Sequence, residues 1–324
     1  MKKRILSIAI PAVIAVVAIF LVVTKVVIPN SNYNAAVELM NSGEYEQAIA
    51  AFEALGEYSD SASKIKECNY NLALNFMENS QYVDAYEAFI ALGDYKDSAE
   101  KAKSIYEQSI QVRLKTAEVG DVVVFGTYEQ DNDTSNGAED IEWHVLAKED
   151  SRVLVISKYA LDCQPYNEEC EEVTWESCTL RTWLNETFLN AAFSAEEQAA
   201  IAQTTVTADK NLLSERNPIF EYIKFNNTDP GNATIDKVFL LSIDEAEKYF
   251  SSDSAWQCKP TDFAVANGAY ENDTGNCWWW LRSPGFNQVY AANVSNGGAL
   301  NYFGSIVNDD HNAVRPALWI NLVN

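Results

Sequence analysis

Residues 33–106 carry one pattern twice. Tyr33, Ala36 and Met40 return as Tyr70, Ala73 and Met77, an offset of 37 residues. Tyr45, Ala48, Phe52, Leu55, Gly56 and Tyr58 return as Tyr82, Ala85, Phe89, Leu92, Gly93 and Tyr95, and Asp60-Ser61-Ala62 returns as Asp97-Ser98-Ala99. Agreement this dense at a single offset means a duplicated supersecondary unit. Ala48, Phe52 and Leu55 stand at i, i+4 and i+7, one face of a helix, and Gly56 ends it. Ser59 or Asp60 can cap the next helix, which runs to about Ser80. Each unit is therefore a pair of antiparallel helices.

Such a unit resembles the tetratricopeptide repeat in a slightly lengthened form. Two copies are fewer than the roughly three that a stable stack needs, so the outer face must pack on a neighbouring domain, another copy or a partner. The repeated tyrosines suit packing between helices or a peptide groove. No basic clamp accompanies them in the repeats, which weighs against the groove.

Ahead of the repeats, Met1-Lys2-Lys3-Arg4 is followed by an uncharged apolar run from Ile5 to Val23, with Lys25 interrupting a tail that reaches Ile28. That is about the 20 residues that cross a bilayer core, and the basic flank would stay inside. A signal peptide has a shorter apolar region and a small-residue cleavage site, which Lys25-Val26-Val27-Ile28-Pro29 does not offer. The expectation is an uncleaved signal-anchor: a single pass through the cell membrane, with the C-terminal region extracellular. The formal net charge of −24 excludes nucleic acid as a partner and suits basic partners or cations. Six cysteines without a close CxxC pair argue against a zinc knuckle. Cys163 with Cys170, or Cys258 with Cys277, could form disulfides outside the cell, and buried free thiols are equally consistent.

The pattern changes at Gly120. Strands are expected at Asp121–Gly126, Trp143–Leu146, Val153–Ile156 and Lys237–Leu241, and helical spacing runs from Thr179 to Leu189. Ser194-Ala195-Glu196-Glu197 and Ser242-Ile243-Asp244-Glu245 are capping boxes that open two further helices. Cys277-Trp278-Trp279-Trp280-Leu281-Arg282-Ser283-Pro284-Gly285 holds three consecutive indoles. As a strand it needs cover on both faces, which makes it a central one. Strands and helices mix without regular alternation, so the class is α+β.

These segments resemble a large uncharacterised bacterial family. The resemblance rests on Gly120-Asp121 through Tyr128, Gln130 through Gly137, Ile141-Glu142-Trp143, Ser157-Lys158-Tyr159-Ala160-Leu161, Leu180-Arg181, Trp183-Leu184-Asn185, Phe239-Leu240-Leu241-Ser242, Glu245-Ala246, the Trp stretch, and Val314-Arg315-Pro316-Ala317-Leu318-Trp319-Ile320. It covers roughly residues 118–322. The family is similar to C-type-lectin-like folds, and distantly to formylglycine-generating, sulfatase-modifying enzymes and the variable ligand-binding proteins of diversity-generating retroelements. The resemblance implies a C-type-lectin-like mixed α/β head (118–324); with the apolar run and the repeats, the expected architecture adds an N-terminal transmembrane helix with its basic flank (1–29) and a tetratricopeptide-like repeat pair (30–117).

Catalytic chemistry finds little footing. The formylglycine-generating enzymes work through a cysteine pair holding copper, and Cys258 and Cys277, the candidates here, lack a matching local motif. The two histidines, His144 in a strand and His311 in a polar loop, accompany no hydrolase, metalloprotease or phosphate-loop motif. Calcium is the one cofactor suggested, by oxygen ligands at alternate positions: Asp131, Asp133, Ser135 and, twelfth, Glu142. The glycine falls one place late and a strand follows, so a polar hairpin loop competes with it.

The chain is therefore expected to be a non-catalytic recognition protein of a bacterial surface whose partner is a protein or glycan ligand. In lectin-like folds the C-terminal loops meet the ligand, which here nominates Arg282, Asn287, Tyr290, Asn293, Asn296, Asn301, Tyr302, Asn308, Asp309 and His311. Turn-making is the competing role for the asparagines. Arg282 and Arg315 can instead be buried against acids that fix the sheet, Arg315 more so because it stands in an apolar strand ahead of Pro316. An enzyme on the same head and a structural adaptor acting through the repeats are the alternatives.

Overall fold

The computed structural model describes residues 27–211, 228–250 and 256–322. The chain divides into two compact units between Val112 and Arg113. In the first, α1 (Ile28–Asn41), α2 (Tyr45–Leu55), α3 (Ser61–Glu78), α4 (Tyr82–Leu92) and α5 (Ser98–Gln108) form the duplicated hairpins and a fifth helix. Small residues let the helices approach: Ala36 and Ala48 pack with Phe52 and Cys68, and Ala73, Ala85 and Ala102 pack with Phe89. Tyr33 packs edge-on against Phe52 and Tyr70 against Phe89. Their hydroxyls donate to Asp60 and Asp97, the N-caps of α3 and α5, each the next helix but one. The repeated tyrosines are thus interhelical struts. Gly56 and Gly93 close α2 and α4 at φ of +59° and +57°, a region costly for any residue with a Cβ.

The expected architecture needs one correction. Among the described residues no helix is long and apolar enough to cross a membrane. The expected span, Ile5 to Ile28, lies outside the described residues except at its end, where Val27 and Ile28 are the N-cap and first residue of α1. The class is mixed helix and sheet, α+β.

A short helix, α6 (Ile110–Thr116), leads into the second unit, whose first sheet starts as a meander: β1 (Val122–Tyr128), β2 (Glu139–Lys148) and β3 (Arg152–Ser157). After β4 (Asp162–Cys163), α7 (Thr179–Trp183), a π turn (Leu184–Phe188) and α8 (Leu189–Ala192) follow without a break, then α9 (Ala195–Ala200). A two-stranded ribbon pairs β5 (Thr204–Val206) with β6 (Thr234–Asp236). β7 (Val238–Phe239), α10 (Ile243–Tyr249) and α11 (Asp262–Ala266) precede the strands β8 (Trp279–Pro284), β9 (Tyr290–Val294), β10 (Leu300–Ile306), β11 (Ala313–Val314) and β12 (Ala317–Asn321). Two five-stranded sheets result, in the orders β1-β2-β3-β12-β7 and β10-β9-β8-β11-β4. β12 is the last strand among the described residues, yet it is interior to its sheet, antiparallel to both β3 and β7.

The tryptophan strand β8 is the middle of the second sheet, and every one of its residues is buried. Its indoles are hydrogen-bonded as buried indoles require: Trp279 Nε1 donates to Trp256 O and Trp280 Nε1 to Gln164 O, both at 3.0 Å. Trp278 lies just before the strand, half-buried against Tyr270.

Both capping boxes form as the sequence spells them, at Ser194–Glu197 and Ser242–Glu245. The second starts α10, whose C-terminal end presents Tyr249 and Phe250 to the site described next. Replacing Ser242 with Ala removes the acceptor for the Glu245 N–H and is expected to cost about 1 kcal/mol. A thermal melt of the variant measures this, and an unchanged melting temperature would contradict the role.

Candidate anion-binding site

The loop surface nominated by sequence is mostly occupied with internal work. Arg282 is 1% exposed and lies inside the unit. Its Nε donates to Thr207 O at 2.7 Å, and its Nη1 donates to Leu240 O and the Glu245 carboxylate. Asn287 accepts from Val289 N and Asn301 from Gly304 N, so both make turns. Asn293 is buried and donates to Asn312 and Ser305. Tyr290 packs on Phe286, and the Tyr302 hydroxyl donates to Glu247. Asn308 is exposed, and Asp309, Asp310 and His311 gather beside it, the His311 Nδ1 2.8 Å from Asp310.

The nominated calcium ligands do not assemble as a set. Asp131 accepts from Asn136 and from Asp133 N, and Asp133 accepts from the Ser135 hydroxyl, so these side chains tie up the hairpin loop. Glu142 is on β2 and pairs with Lys158 at 2.8 Å. The carboxylates that approach Asp131 are those of Glu129 and Glu139.

A pocket of about 380 Å³ opens elsewhere on the second unit, lined among others by His144, Leu146, Lys158, Tyr249, Phe250 and Arg315. Each side chain is placed by its element. Along β2, Trp143 and Val145 are buried while His144 faces the other way and stays half-buried. Lys158 follows the end of β3. Arg315 stands between β11 and β12, where the chain leaves the second sheet for the first, held extended by Pro316. Ser157 N donates to Pro316 O and Arg315 Nε to Ser157 O, which pins this crossing to the end of β3.

Arg315 is 2% exposed and has no ion pair among the described residues; its guanidinium makes the single bond to Ser157 O. Its Nη1 is shut off from solvent without a hydrogen-bond partner. The expectation that an acid pairs with Arg315 is corrected: the group beside it is aromatic. The Phe250 and Trp279 rings lie 5.4 and 5.0 Å from its Cζ. Burial, helped by Arg315 and Lys158, holds His144 below the ordinary histidine range, so the imidazole is neutral at neutral pH.

The Arg315 charge acts on two buried thiols, Cys258 and Cys277. Cys277 N donates to Cys258 O at 2.8 Å, and the Cys277 thiol hydrogen-bonds Cys258. Burial opposes ionisation of Cys258, but the hydrogen bond from Cys277 and the Arg315 charge outweigh it and set Cys258 below the usual thiol range. Cys277 is driven the other way, by its bond to Cys258 and by burial.

Arg315 was legible as a buried arginine in an apolar strand. Lys158 was legible only as part of the Ser157–Leu161 string, and Tyr249, Phe250 and Gln257 carried no local signal, because the pocket draws on residues from Val119 to Arg315.

The second unit is thus a two-sheet α+β domain with a cationic pocket where its sheets exchange chain. Its residues 150–322 match a domain of unknown function, DUF6273, and since the match spans just over half of the protein, the chain belongs to that family. No curated protein and no solved structure matches the chain.

Proposed function

We propose that this chain is a recognition protein that binds its ligand without transforming it, and that the second unit holds an acidic group of a protein or glycan in the Arg315 pocket. One observation carries this reading: a buried guanidinium whose Nη1 has no partner, in a residue that lines an open cavity. An uncompensated buried charge costs several kcal/mol, and an incoming anion offsets that cost. Neutral His144 adds a donor that needs no counter-charge, and Tyr249 and Phe250 supply an aromatic wall.

A panel of acidic and neutral glycans and peptides titrated calorimetrically into the full chain tests the reading. Binding should be confined to acidic members and should weaken as salt rises. Arg315→Met should lose about 1.5–3 kcal/mol of binding, roughly ten- to a hundredfold. Saturable binding of neutral members alone, or of none, would sink it.

The same site predicts a pH dependence. Cys258 thiolate and ligand anion compete for Arg315, so binding releases the thiolate to take up a proton. Lys158 is already matched by Glu142, and His144 gains charge only on acidification. Affinity is therefore expected to fall as pH rises through the Cys258 ionisation and to strengthen again below the His144 one. Cys258→Ser should flatten the upper step while leaving the lower, as measured by titrations across pH.

A further inference from the structure

The acidic group can be specified more closely, and this step rests on the function proposed above. The charges around the pocket are few. Lys158 is paired with Glu142 at 2.8 Å and His144 is neutral, so once the Cys258 thiolate has taken up its proton Arg315 supplies the one unmatched positive charge among the described lining residues. A phosphate monoester carries about −1.5 to −2 at neutral pH and would enter with its second charge unanswered. The protein as a whole is strongly acidic, with a net charge of −24, and offers no surplus to meet it.

The donors point the same way. The Nε of Arg315 is committed to Ser157 O, and its Cζ lies over the Phe250 and Trp279 rings. What remains unpartnered is Nη1, at the end of a planar fork, and a planar carboxylate is the anion whose shape matches such a fork. Around that point the lining turns apolar: Val119, Leu146, Tyr249 and Phe250. A cavity of about 380 Å³ has room for a ring or a short branched chain behind the carboxylate.

We infer that the Arg315 pocket takes a monocarboxylate carried on an apolar or aromatic stem. The head group faces Arg315 with His144 as a neutral second donor, and the stem lies on Tyr249 and Phe250.

The chain has two histidines, so the His144 imidazole resonances can be assigned by difference with a His311→Gln variant. Phenylacetate, phenylacetamide, phenyl phosphate and phenyl sulfate are titrated into the full chain while these resonances are followed. Phenylacetate should shift His144 saturably, at least about tenfold more tightly than the amide or the phosphate. Arg315→Lys keeps the charge and loses the fork, and should weaken phenylacetate about tenfold. Arg315→Met should abolish the shift, with circular dichroism confirming that it folds. Equal binding of the amide would overturn the charge argument, and tighter binding of phosphate or sulfate would overturn the carboxylate. Silence from all four probes beside acidic hits in the glycan and peptide panel would overturn this inference and leave the broader function standing. Silence in both would remove both.

Discussion

Replacing Arg282 with Met is expected to destabilise the second unit by about 3–5 kcal/mol, the range seen when one partner of a buried charge network is removed. The guanidinium bridges three segments: Thr207 just after β5, Leu240 ahead of α10, and Glu245 in its first turn. Deleting it takes a charged donor from two backbone carbonyls and leaves the Glu245 carboxylate to the Ser242 N–H. Glu245 also closes the capping box at Ser242 N, so the loss spreads to the helix that carries Tyr249 and Phe250. Guanidinium denaturation followed by tryptophan fluorescence measures the effect. A loss below about 1 kcal/mol would mean the network is solvated in solution and worth no more than a surface ion pair.

Trp280→Ala is expected to cost a similar amount, about 3–5 kcal/mol, but for a different reason. Trp280 is wholly buried in the central strand of its sheet, packs edge-on to Tyr166, and donates to Gln164 O. Its removal leaves a cavity between layers that cannot collapse, because strands on both sides fix the backbone. Trp280→Phe keeps part of the ring volume and should recover part of the loss. If Ala and Phe destabilise equally, the hydrogen bond rather than the volume dominates.

Much of the fold was legible because it is written locally. The offset from Tyr33 to Tyr70 announced the paired helices, and the Ser194 and Ser242 capping boxes formed at their expected residues. The triple tryptophan marked a central strand because no solvated position accommodates Trp279 and Trp280 together. The site was less legible, and the reason is physical. Asn287, Asn293 and Asn301 look like free amides in sequence, yet each serves a turn or a buried pair set by distant residues. Arg282 stood out correctly but is spent on the scaffold. Arg315 looked like scaffold, and its guanidinium is the one left short of partners. Whether a buried arginine finds an acid depends on tertiary neighbours, and spacing along the chain carries no record of them.

The placement of β12 bears on how the protein is made. The first sheet cannot close until residues 317–321 have been synthesised, because β12 fills the gap between β3 and β7. Until then the Val153-Leu154-Val155-Ile156 edge of β3 is an unpaired apolar strand in a nascent chain, the kind of edge that recruits other chains. Folding of this unit must wait for its last strand, so a ribosome that stalls before residue 317 leaves an aggregation-prone intermediate. Chaperone dependence should accordingly be a property of the second unit. The helical repeats, whose contacts are local, can fold as they emerge.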